Sequence, residues 1–239
     1  MLRRTIFPGL EITNDLCAWM RTERVLILSD LHIGLEAALA AEGLHLPHMQ
    51  AATMRERLLS IMDRYEPDQV IILGDLKHDF ARNAAQEWLE VQSVLRVIRE
   101  QAEVLITRGN HDNYLASIAA SLDIKMEDNF VCGGVHFAHG HAKLPDRPLV
   151  IGHEHPSVRL QDRVGGTVKL PCFLHLVNEQ LLVLPAFSPL APGMDLTLSQ
   201  QALSPLIDAA ALLASQVYGC SEIGLLPLGT LQGLSEMRL

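Results

Sequence analysis

The sequence predicts an α/β fold with a parallel sheet in its first half and more antiparallel pairing in its second half. Three short apolar runs, VLILSD (25–30), VIILGD (70–75) and VLITRGN (104–110), are β-branched or leucine-rich and end in polar residues or glycine. Strands that are buried on both faces have this pattern. Helical patterns separate the runs, and the order strand–helix–strand–helix–strand predicts parallel pairing through right-handed crossovers.

Two amphipathic helices are predicted between these strands. The first extends over about 47–65, with Pro47 well placed at a first helical position, and the second over about 83–101. In both, the spacing of the apolar residues gives one face that can pack against the sheet.

The pattern changes at about residue 130. FVCGGVHFAHGH predicts a hairpin that turns at Gly133–Gly134, and SVRLQDRVGGTVKLPCFLHL predicts a second hairpin at Gly165–Gly166. EQLLVLPAF adds a strand, a helix is expected over about 199–218, and IGLLPLGTL forms a short tail strand. The apolar stripe of the late helix is expected to face the core or another subunit: Leu203, Leu206, Ile207, Ala210 and Leu213.

No internal repeat or linker divides the chain, so we predict one domain over 1–239. Its ligand-bearing half covers about 25–155, and the later hairpins, helix and tail strand cover about 156–239. The net charge of −9 gives no long-range attraction for polyanions, so nucleic-acid binding would need a local basic patch. Four widely spaced cysteines without a CxxC pair predict buried free thiols in a reducing compartment. Because no apolar stretch reaches the roughly 20 residues of a membrane span, we expect a cytoplasmic protein without membrane contact.

Every predicted strand end carries one or two potential metal ligands. They are Asp30 and His32 in SDLH, Asp75 in GDLKHD, Asn110 and His111 in GNHD, His139 and His141 in AHGH, and His153 and His155 in GHEH. Carboxylate, imidazole and amide groups together suit Mn²⁺, Fe²⁺ or Zn²⁺, and the absence of cysteine argues against a structural zinc site. One such motif alone is more often a turn or a helix cap. Five of them at consecutive strand ends favour a metal site, since buried carboxylates would cost several kcal/mol without a cation.

The order DLH, GD, GNHD, HGH and GHEH over residues 30–155 resembles the calcineurin-like metallophosphoesterase superfamily. The flanking segments, including SDLHIGLEAALAAEGLHLP, GDLKHDF and GHEHPSVRL, look like the archaeal SbcD-related phosphoesterases and the bacterial ligase-associated PdeM-type proteins. The resemblance implies an α/β fold that is a four-layer αββα sandwich with two mixed β-sheets. It also implies a two-metal site on one rim of the sandwich.

The resemblance further implies a role for each matching residue. The metal ligands would be Asp30, His32 and His155 for the first ion, Asp75 as a bridge, and Asn110, His139 and His153 for the second ion. His111 would reach the scissile phosphate without binding a metal, and Asp112 would orient its imidazole. His78 stands where the superfamily often has Asp, so we expect it to support a ligand rather than to bind the metal. His141 would lie near the rim.

A local basic rim is expected close to the site. Its candidates are Arg108, as the residue that contacts the substrate, together with Lys77, Arg82, Lys143 and Arg147. Taken singly, each of these charges is more often a solvated surface residue than part of a rim.

These features predict a phosphoesterase with two divalent metal ions, of which manganese is favoured and iron, zinc, cobalt or nickel are alternatives. Two cations about 4 Å apart would hold a phosphate and a hydroxide, and the hydroxide would attack phosphorus in line. A phosphodiester, DNA or RNA, is the favoured substrate. Two alternatives stay open: a hydrolase of a phosphomonoester or small nucleotide, and a non-catalytic scaffold like the retromer subunit of the same fold. A homodimer is also open.

Overall fold

The computed structural model describes residues 2–44, 49–78, 85–113, 115–161, 164–191 and 193–236. The first sheet contains β1 (Arg3–Phe7), β2 (Leu10–Thr13), β3 (Ala18–Met20), β4 (Val25–Leu28), β5 (Gln69–Leu73), β6 (Glu103–Thr107) and β7 (Lys125–Glu127). The second contains β8 (Asn129–Cys132), β9 (Val135–Ala138), β10 (Leu149–Ile151), β11 (Pro156–Gln161), β12 (Thr167–Leu176), β13 (Leu181–Val183), β14 (Met194–Asp195), β15 (Gln216–Ser221) and β16 (Gly224–Thr230). The helices are α1 (Leu35–Ala41), α2 (Gln50–Tyr65), α3 (Ala85–Arg99), α4 (Leu115–Ser121), α5 (Ala209–Ala214) and α6 (Leu231–Glu236).

The seven strands of the first sheet lie side by side in chain order. The three predicted strands are confirmed as β4, β5 and β6, which are parallel, and β7 continues the parallel pairing. The sequence analysis missed β1, β2 and β3, which pair antiparallel with one another and with β4. The first sheet is therefore mixed, and its parallel part ends at β4.

The second sheet is also mixed. Both predicted hairpins are confirmed: β8 and β9 turn at Gly133–Gly134, and β11 pairs antiparallel with β12. Residues 162–163 of the second turn lie outside the described residues. The strand in EQLLVLPAF is β13, which is antiparallel to β12 but parallel to β10. The second half thus contains parallel pairs that the sequence analysis did not predict, because β10 is inserted between β9 and β13.

Alternation along β10 shows how the layers are built. Val150 belongs to the apolar cluster that includes the first sheet, α2 and α3, whereas Leu149 and Ile151 belong to the cluster that includes α5 and α6. Successive side chains of a strand point to opposite faces, so the second sheet packs on the first sheet with one face and on helices with the other. This confirms the expected αββα order of layers.

The prediction of one late helix over 199–218 is wrong. Only α5 is helical there, and the chain then enters β15, which pairs with β12 and β16. The segment before α5 contains Pro205 and uses the backbone N–H of Ser204 in a tertiary hydrogen bond, so an earlier helix cannot continue through it. The predicted apolar stripe is accordingly broken: Ile207 is buried, whereas Leu203 is exposed.

The two earlier helices are confirmed as α2 and α3, although their predicted starts at Pro47 and Asn83 lie outside the described residues. The tail strand is confirmed as β16, and α6 follows it without having been predicted. All four cysteines are free thiols; three are buried, and Cys132 is only half-buried. Within the described ranges, none of the helices is both long and apolar enough to cross a membrane.

Candidate metal centre

The predicted ligands lie at one edge of the sandwich. β4, β5 and β6 are in register through Leu28, Ile72 and Ile106, so their carboxyl ends reach the same edge of the first sheet. The ligand-bearing loops follow β4, β5, β6, β9 and β10, and they bring together Asp30, His32, Asp75, Asn110, His139, His153 and His155.

Asp30, His32, Asp75 and His155 form the first ligand group, in which one ligand atom from each residue lies within 4.8 Å of the others. Nε2 of His32 lies 3.0 Å from Nε2 of His155. The same His155 nitrogen lies 3.1 Å from Oδ1 of Asp30, and Oδ2 of Asp75 lies 3.9 Å from Nε2 of His32. Two imidazoles and two carboxylates thus converge on one point.

Asp75, His139 and His153 form the second ligand group. Oδ2 of Asp75 lies 3.4 Å from Nε2 of His139, which is also 3.2 Å from Nδ1 of His153. Oδ1 of Asn110 lies 3.0 Å from the same His139 nitrogen, which places the amide beside this group. Asp75 therefore belongs to both groups, and its Oδ2 faces a histidine of each.

The donor and acceptor chemistry of the two groups fits cations. Nδ1 of His139 lies 2.8 Å from the carbonyl oxygen of Leu73 and can donate its hydrogen there. In that tautomer Nε2 carries a lone pair and faces the oxygens of Asp75 and Asn110, which are acceptors as well. Oδ1 of Asp30 is buried, and no described residue offers it a hydrogen-bond donor in suitable geometry. Acceptors that converge in this way repel one another unless a positive charge lies between them.

The protonation states at neutral pH suit metal binding. Burial lowers the pKa of His32 to about 3, and burial with the charge of His139 lowers the pKa of His153 to about 4, so both rings are neutral. Burial opposes ionisation of Asp30, but the neighbouring histidines, His155 first, hold the pKa of this carboxyl well below its usual range. Metals bind carboxylates and neutral imidazoles, and Asp30, His32 and His153 are in these forms.

His139 behaves differently. Burial disfavours its charged form, but the hydrogen bond with Asp75 and the charges of Asp30 and Asp75 outweigh burial and raise the pKa of His139 to about 9. A proton on this ring compensates the two carboxylates in the metal-free centre.

His111 lies against the first ligand group. Its backbone N–H donates to Oδ1 of Asp75 (2.9 Å), and its Nδ1 lies 2.9 Å from the carbonyl oxygen of His78. The His111 ring stacks on the ring of His78, with centroids 5.7 Å apart, and lies edge-on to His32 at 5.3 Å. The imidazole is therefore held beside the ligands with Nδ1 turned to the protein.

The expected role of Asp112 in orienting His111 is contradicted. The carboxylate of Asp112 instead accepts backbone N–H groups of Gly109, Asp75 and Leu76, at 2.8, 2.9 and 3.0 Å. Burial raises the pKa of this carboxyl to about 6. Asp112 thus ties the loop after β6 to the loop after β5, and the His78 carbonyl is what meets the imidazole.

His78 and His141 lie on opposite sides of the centre. Nδ1 of His78 lies 3.3 Å from Nδ1 of His32, and His32, His78 and His111 make a third set of clustered ligand atoms. The exposed His141 ring lies 5.3 Å from His139 and 6.3 Å from His153, next to the second group.

The predicted basic rim is not assembled by the described residues. Lys77 is fully buried, and its Nζ lies 3.4 Å from Oε2 of Glu87, so this cation is wrong as a rim residue. Arg147 donates to the backbone carbonyls of residues 144, 146 and 179. Arg108 is exposed beside Asp128, and Lys143 is exposed, while Arg82 lies outside the described residues.

Glu87 is a residue of the site region that sequence reasoning missed. Besides its ion pair with Lys77, its Oε1 accepts the backbone N–H of His78 at 3.2 Å. Gly34 gives it room, because a Cβ at that position would lie 2.8 Å from Oε1 of Glu87. The only signal for Glu87 in the sequence was an acidic residue in the first turn of α3, which is common at helix starts.

Glu154, the residue between the two histidines of GHEH, points away from the ligands. Its buried carboxylate accepts the backbone N–H groups of Leu203 and Ser204 at 3.0 and 2.5 Å. Ser204 in turn donates its hydroxyl to the carbonyl oxygen of Gly140 (2.6 Å). The segment before α5 therefore holds the two histidine-bearing loops of the second sheet.

Five ligands occupy the left-handed region of backbone conformation: Asp30, His32, Asp75, His153 and His155 have φ between 42° and 69°. Such conformations cost about 1 kcal/mol each in residues other than glycine, and they recur at functional sites. In the expected kink of GHEH, the N–H of Glu154 donates to the carbonyl of Gly152 (2.8 Å). A Cβ at Gly152 would overlap Oγ of Ser29 and lie 2.5 Å from Oδ2 of Asp30.

Comparison with known proteins agrees with this geometry. The family model of calcineurin-like phosphoesterases matches residues 23–205, which is more than half of the chain. The chain therefore belongs to the calcineurin-like phosphoesterases.

Among solved structures, the chain is similar to the Pseudomonas putida nuclease MPE, with 25% sequence identity and a TM-score of 0.68 over 92% of this chain and 94% of that one. It is also similar to Yfce, a phosphoesterase from E. coli, with 16% identity and a TM-score of 0.39 over 88% and 94%. The second likeness is too weak to support a functional comparison. No curated protein sequence matches the chain.

Proposed function

We propose that this chain is a two-metal phosphodiesterase and that its substrate is a nucleic acid. The observation that carries the proposal is the position of Asp75, whose carboxylate lies within 4 Å of histidines from both ligand groups. A shared carboxylate lets two cations lie close enough to act on one phosphate. Similarity to a protein named a nuclease, over nearly the whole of both chains, supports a nucleic acid as the substrate.

In this proposal the ligands keep the roles that the sequence suggested. Asp30, His32 and His155 would hold the first ion, Asn110, His139 and His153 would hold the second, and Asp75 would be shared by both. When bound, the ions supply a water of lowered pKa and compensate the negative charge of the phosphate. Manganese is the favoured ion because the ligands mix carboxylate, amide and imidazole groups.

The chain's own residues position the substrate and move a proton. With Nδ1 of His111 donating to the His78 carbonyl, Nε2 is the ring nitrogen that would meet the substrate. In its charged form the ring can donate this Nε2 proton to the leaving oxygen, or to a phosphate oxygen as negative charge develops. Stacking on His78 fixes the plane of the ring for that transfer.

The experiment is an activity panel on apo-protein reloaded with Mn²⁺, Fe²⁺, Zn²⁺ or Co²⁺. It compares bis-p-nitrophenyl phosphate, p-nitrophenyl phosphate, cyclic nucleotides, and single- and double-stranded DNA. We expect preference for diesters and cleavage of DNA. Turnover of monoesters alone would contradict the proposal and favour the small-phosphoester alternative.

Two further measurements separate the alternatives. Nucleic-acid binding should weaken steeply as salt is added, because counterions are released from the phosphates, whereas a small-molecule site should respond little. Metal analysis of protein purified without chelator addresses the scaffold alternative, since a stoichiometry well below one ion per chain would count against an enzyme. The single domain, cytoplasmic location and homodimer stay predictions, as does the kinship with SbcD-related and PdeM-type proteins.

A further inference from the structure

A large groove leads away from the metal centre on the His155 side. It has a volume of about 1260 Å³, and His155 is the ligand that lines it. From there it runs past Ser157 and Ser188, between the N-terminal strands and the second sheet, to Ile223 in the turn before β16. Pockets for small ligands commonly have volumes of about 300–1,000 Å³, so this groove exceeds what one small phosphoester needs.

The wall of the groove is basic although the chain is acidic. Among the described residues that line it, four carry positive charge and two carry negative charge, whereas the whole chain has a net charge of −9. Two of the cations are engaged by the protein. The Arg57 guanidinium lies 4.6 Å from the centre of the Phe187 ring, and Arg64 is held by both carboxylate oxygens of Asp15 at 2.7 Å.

Arg3 and Lys169 line the groove from different sheets, Arg3 on β1 and Lys169 on β12. The Arg3 guanidinium lies 4.9 Å from the centre of the Tyr65 ring, with about a third of its side chain exposed. Nζ of Lys169 donates to the carbonyl oxygen of Gly193 at 2.7 Å, which keeps this ammonium group at the wall. Neither interaction neutralises the charge, although Glu11 lies 3.8 Å from Arg3. Both groups can therefore bind anionic oxygens.

Exposed apolar side chains lie beside these cations. Leu2, Val168 and Ile223 line the groove with 61%, 51% and 82% of their surface exposed. Apolar side chains next to cations suit a ligand that has an anionic backbone and flat apolar faces. An unpaired polynucleotide strand has this chemistry, whereas the bases of a duplex are stacked inside it.

The distance between the metal centre and Lys169 fits several nucleotides. Arg159 is directly opposite Lys169 in the β11–β12 ladder and is four residues beyond His155. At about 3.3 Å per residue this separation is about 13 Å. Stacked nucleotides rise about 3.4 Å each, so about four of them span it.

We propose that this groove binds an unpaired polynucleotide strand on one side of the scissile phosphate, with Arg3 and Lys169 contacting its phosphates and Leu2, Val168 and Ile223 contacting its bases. The inference rests on the proposed phosphodiesterase function and assigns the binding surface of the same site. In this proposal the strand reaches the metal centre from the side of His155, and not from the side of His141.

The test compares oligonucleotides of two to eight nucleotides, as DNA and as RNA, with bis-p-nitrophenyl phosphate on the metal-loaded protein. Relative to the small diester, kcat/KM should rise with oligonucleotide length and level off once the strand fills the groove. In Arg3→Gln/Lys169→Gln this relative kcat/KM should fall about tenfold for the longer strands, the effect of losing two exposed ionic contacts. Its salt dependence should become shallower by about 1.4 log units per log unit of salt.

Lys125→Gln is the matched control, because Lys125 is exposed on β7, at the opposite edge of the first sheet from β1. Its relative kcat/KM should equal that of the wild type. The groove proposal would be refuted, and the proposed function would stand, if strands were cleaved at a rate that does not depend on their length. The same conclusion would follow if Lys125→Gln lost as much relative kcat/KM as Arg3→Gln/Lys169→Gln. Wild-type protein that cleaves the small diester but no strand would overturn both, and a preference for DNA or RNA identifies which polynucleotide the groove binds.

Discussion

The buried ion pair between Lys77 and Glu87 provides a quantitative test of how the centre is held. The Lys77 side chain is fully buried, the Glu87 side chain is 4% exposed, and their charged atoms are 3.4 Å apart. Removing one partner takes the opposite charge at 3.4 Å away from the buried ion that remains, which costs about 3–5 kcal/mol. We therefore expect Lys77→Met and Glu87→Gln each to lower the free energy of unfolding by about 4 kcal/mol.

The double variant Lys77→Met/Glu87→Gln should lose less stability than either single variant, because it removes both buried charges together. Unfolding in guanidinium chloride measures this, and a loss of 4 kcal/mol should move the midpoint by roughly 1 M. Lys125→Met is the matched control: its partner Glu127 is 3.7 Å away, but both side chains are more than half exposed. An exposed pair of this kind is worth at most about 1 kcal/mol.

The same variants should alter catalysis through His78. Glu87 accepts the His78 backbone N–H, and the His78 carbonyl meets the His111 imidazole. Lys77→Met should therefore lower kcat by a larger factor than it lowers metal content under conditions where it stays folded. Single variants that cost no more than Lys125→Met, or a double variant whose loss equals both single losses together, would refute this account.

Three further predictions concern the centre itself. His111→Ala should keep both metals but lower kcat by about 10² to 10⁴, because in the proposed function its ring transfers a proton and does not hold an ion. Metal analysis and steady-state kinetics measure this. Gly152→Ala should lower metal affinity, measured by calorimetric titration, because the new Cβ would displace Ser29 and Asp30. Removing the metals with a chelator should lower the melting temperature, since ligands that bind only the folded state at a hundred times Kd stabilise it by about 2.7 kcal/mol.

Each of these has a result that would contradict it. Loss of metal together with activity in His111→Ala would make this residue a ligand. A Gly152→Ala protein with wild-type metal affinity would show that the loop can shift at little cost. Gly233→Ala in α6 is the control, because Gly233 lies outside the left-handed region and a Cβ there comes no closer than 3.3 Å, to the hydroxyl oxygen of Thr230. An unchanged melting temperature after chelation would mean that the ligand groups are stable without cations.

The ligand set could be predicted from the sequence because it depends on strand ends. Short apolar runs predict buried strands, and parallel strands have their carboxyl ends at the same edge of a sheet. The polar residues that follow Leu28, Leu73 and Thr107 must therefore lie close together at that edge. The assignment of each histidine to one of the two ligand groups came from the family pattern, because the apolar runs do not indicate it. Asp30, His32, Asp75 and His155 all have positive φ where they meet. Aspartate and histidine adopt this region more often than most residues do, but their presence in a sequence does not tell which of them adopts it.

The later part of the chain was harder to predict because tertiary bonds override local preference. The apolar spacing of 199–218 has a helical period, yet Glu154 binds the backbone of Ser204, and β12 pairs with β15. Lys77 was taken for a surface cation because nothing in GDLKHD shows that Glu87, ten residues later, would be buried beside it. Long-range polar pairs of this kind leave no periodic signal in a sequence.

The carboxylate of Glu154 also determines how much of the chain is needed to build the centre. All seven proposed ligands precede residue 156, so a fragment that stopped at the first hairpin of the later half would contain each of them. It would lack the backbone amides at 203 and 204 and the strand β13 that flanks β10. Such a fragment would contain all seven proposed ligands but would lack the contacts that fix their positions. The C-terminal third is therefore a structural part of the catalytic unit.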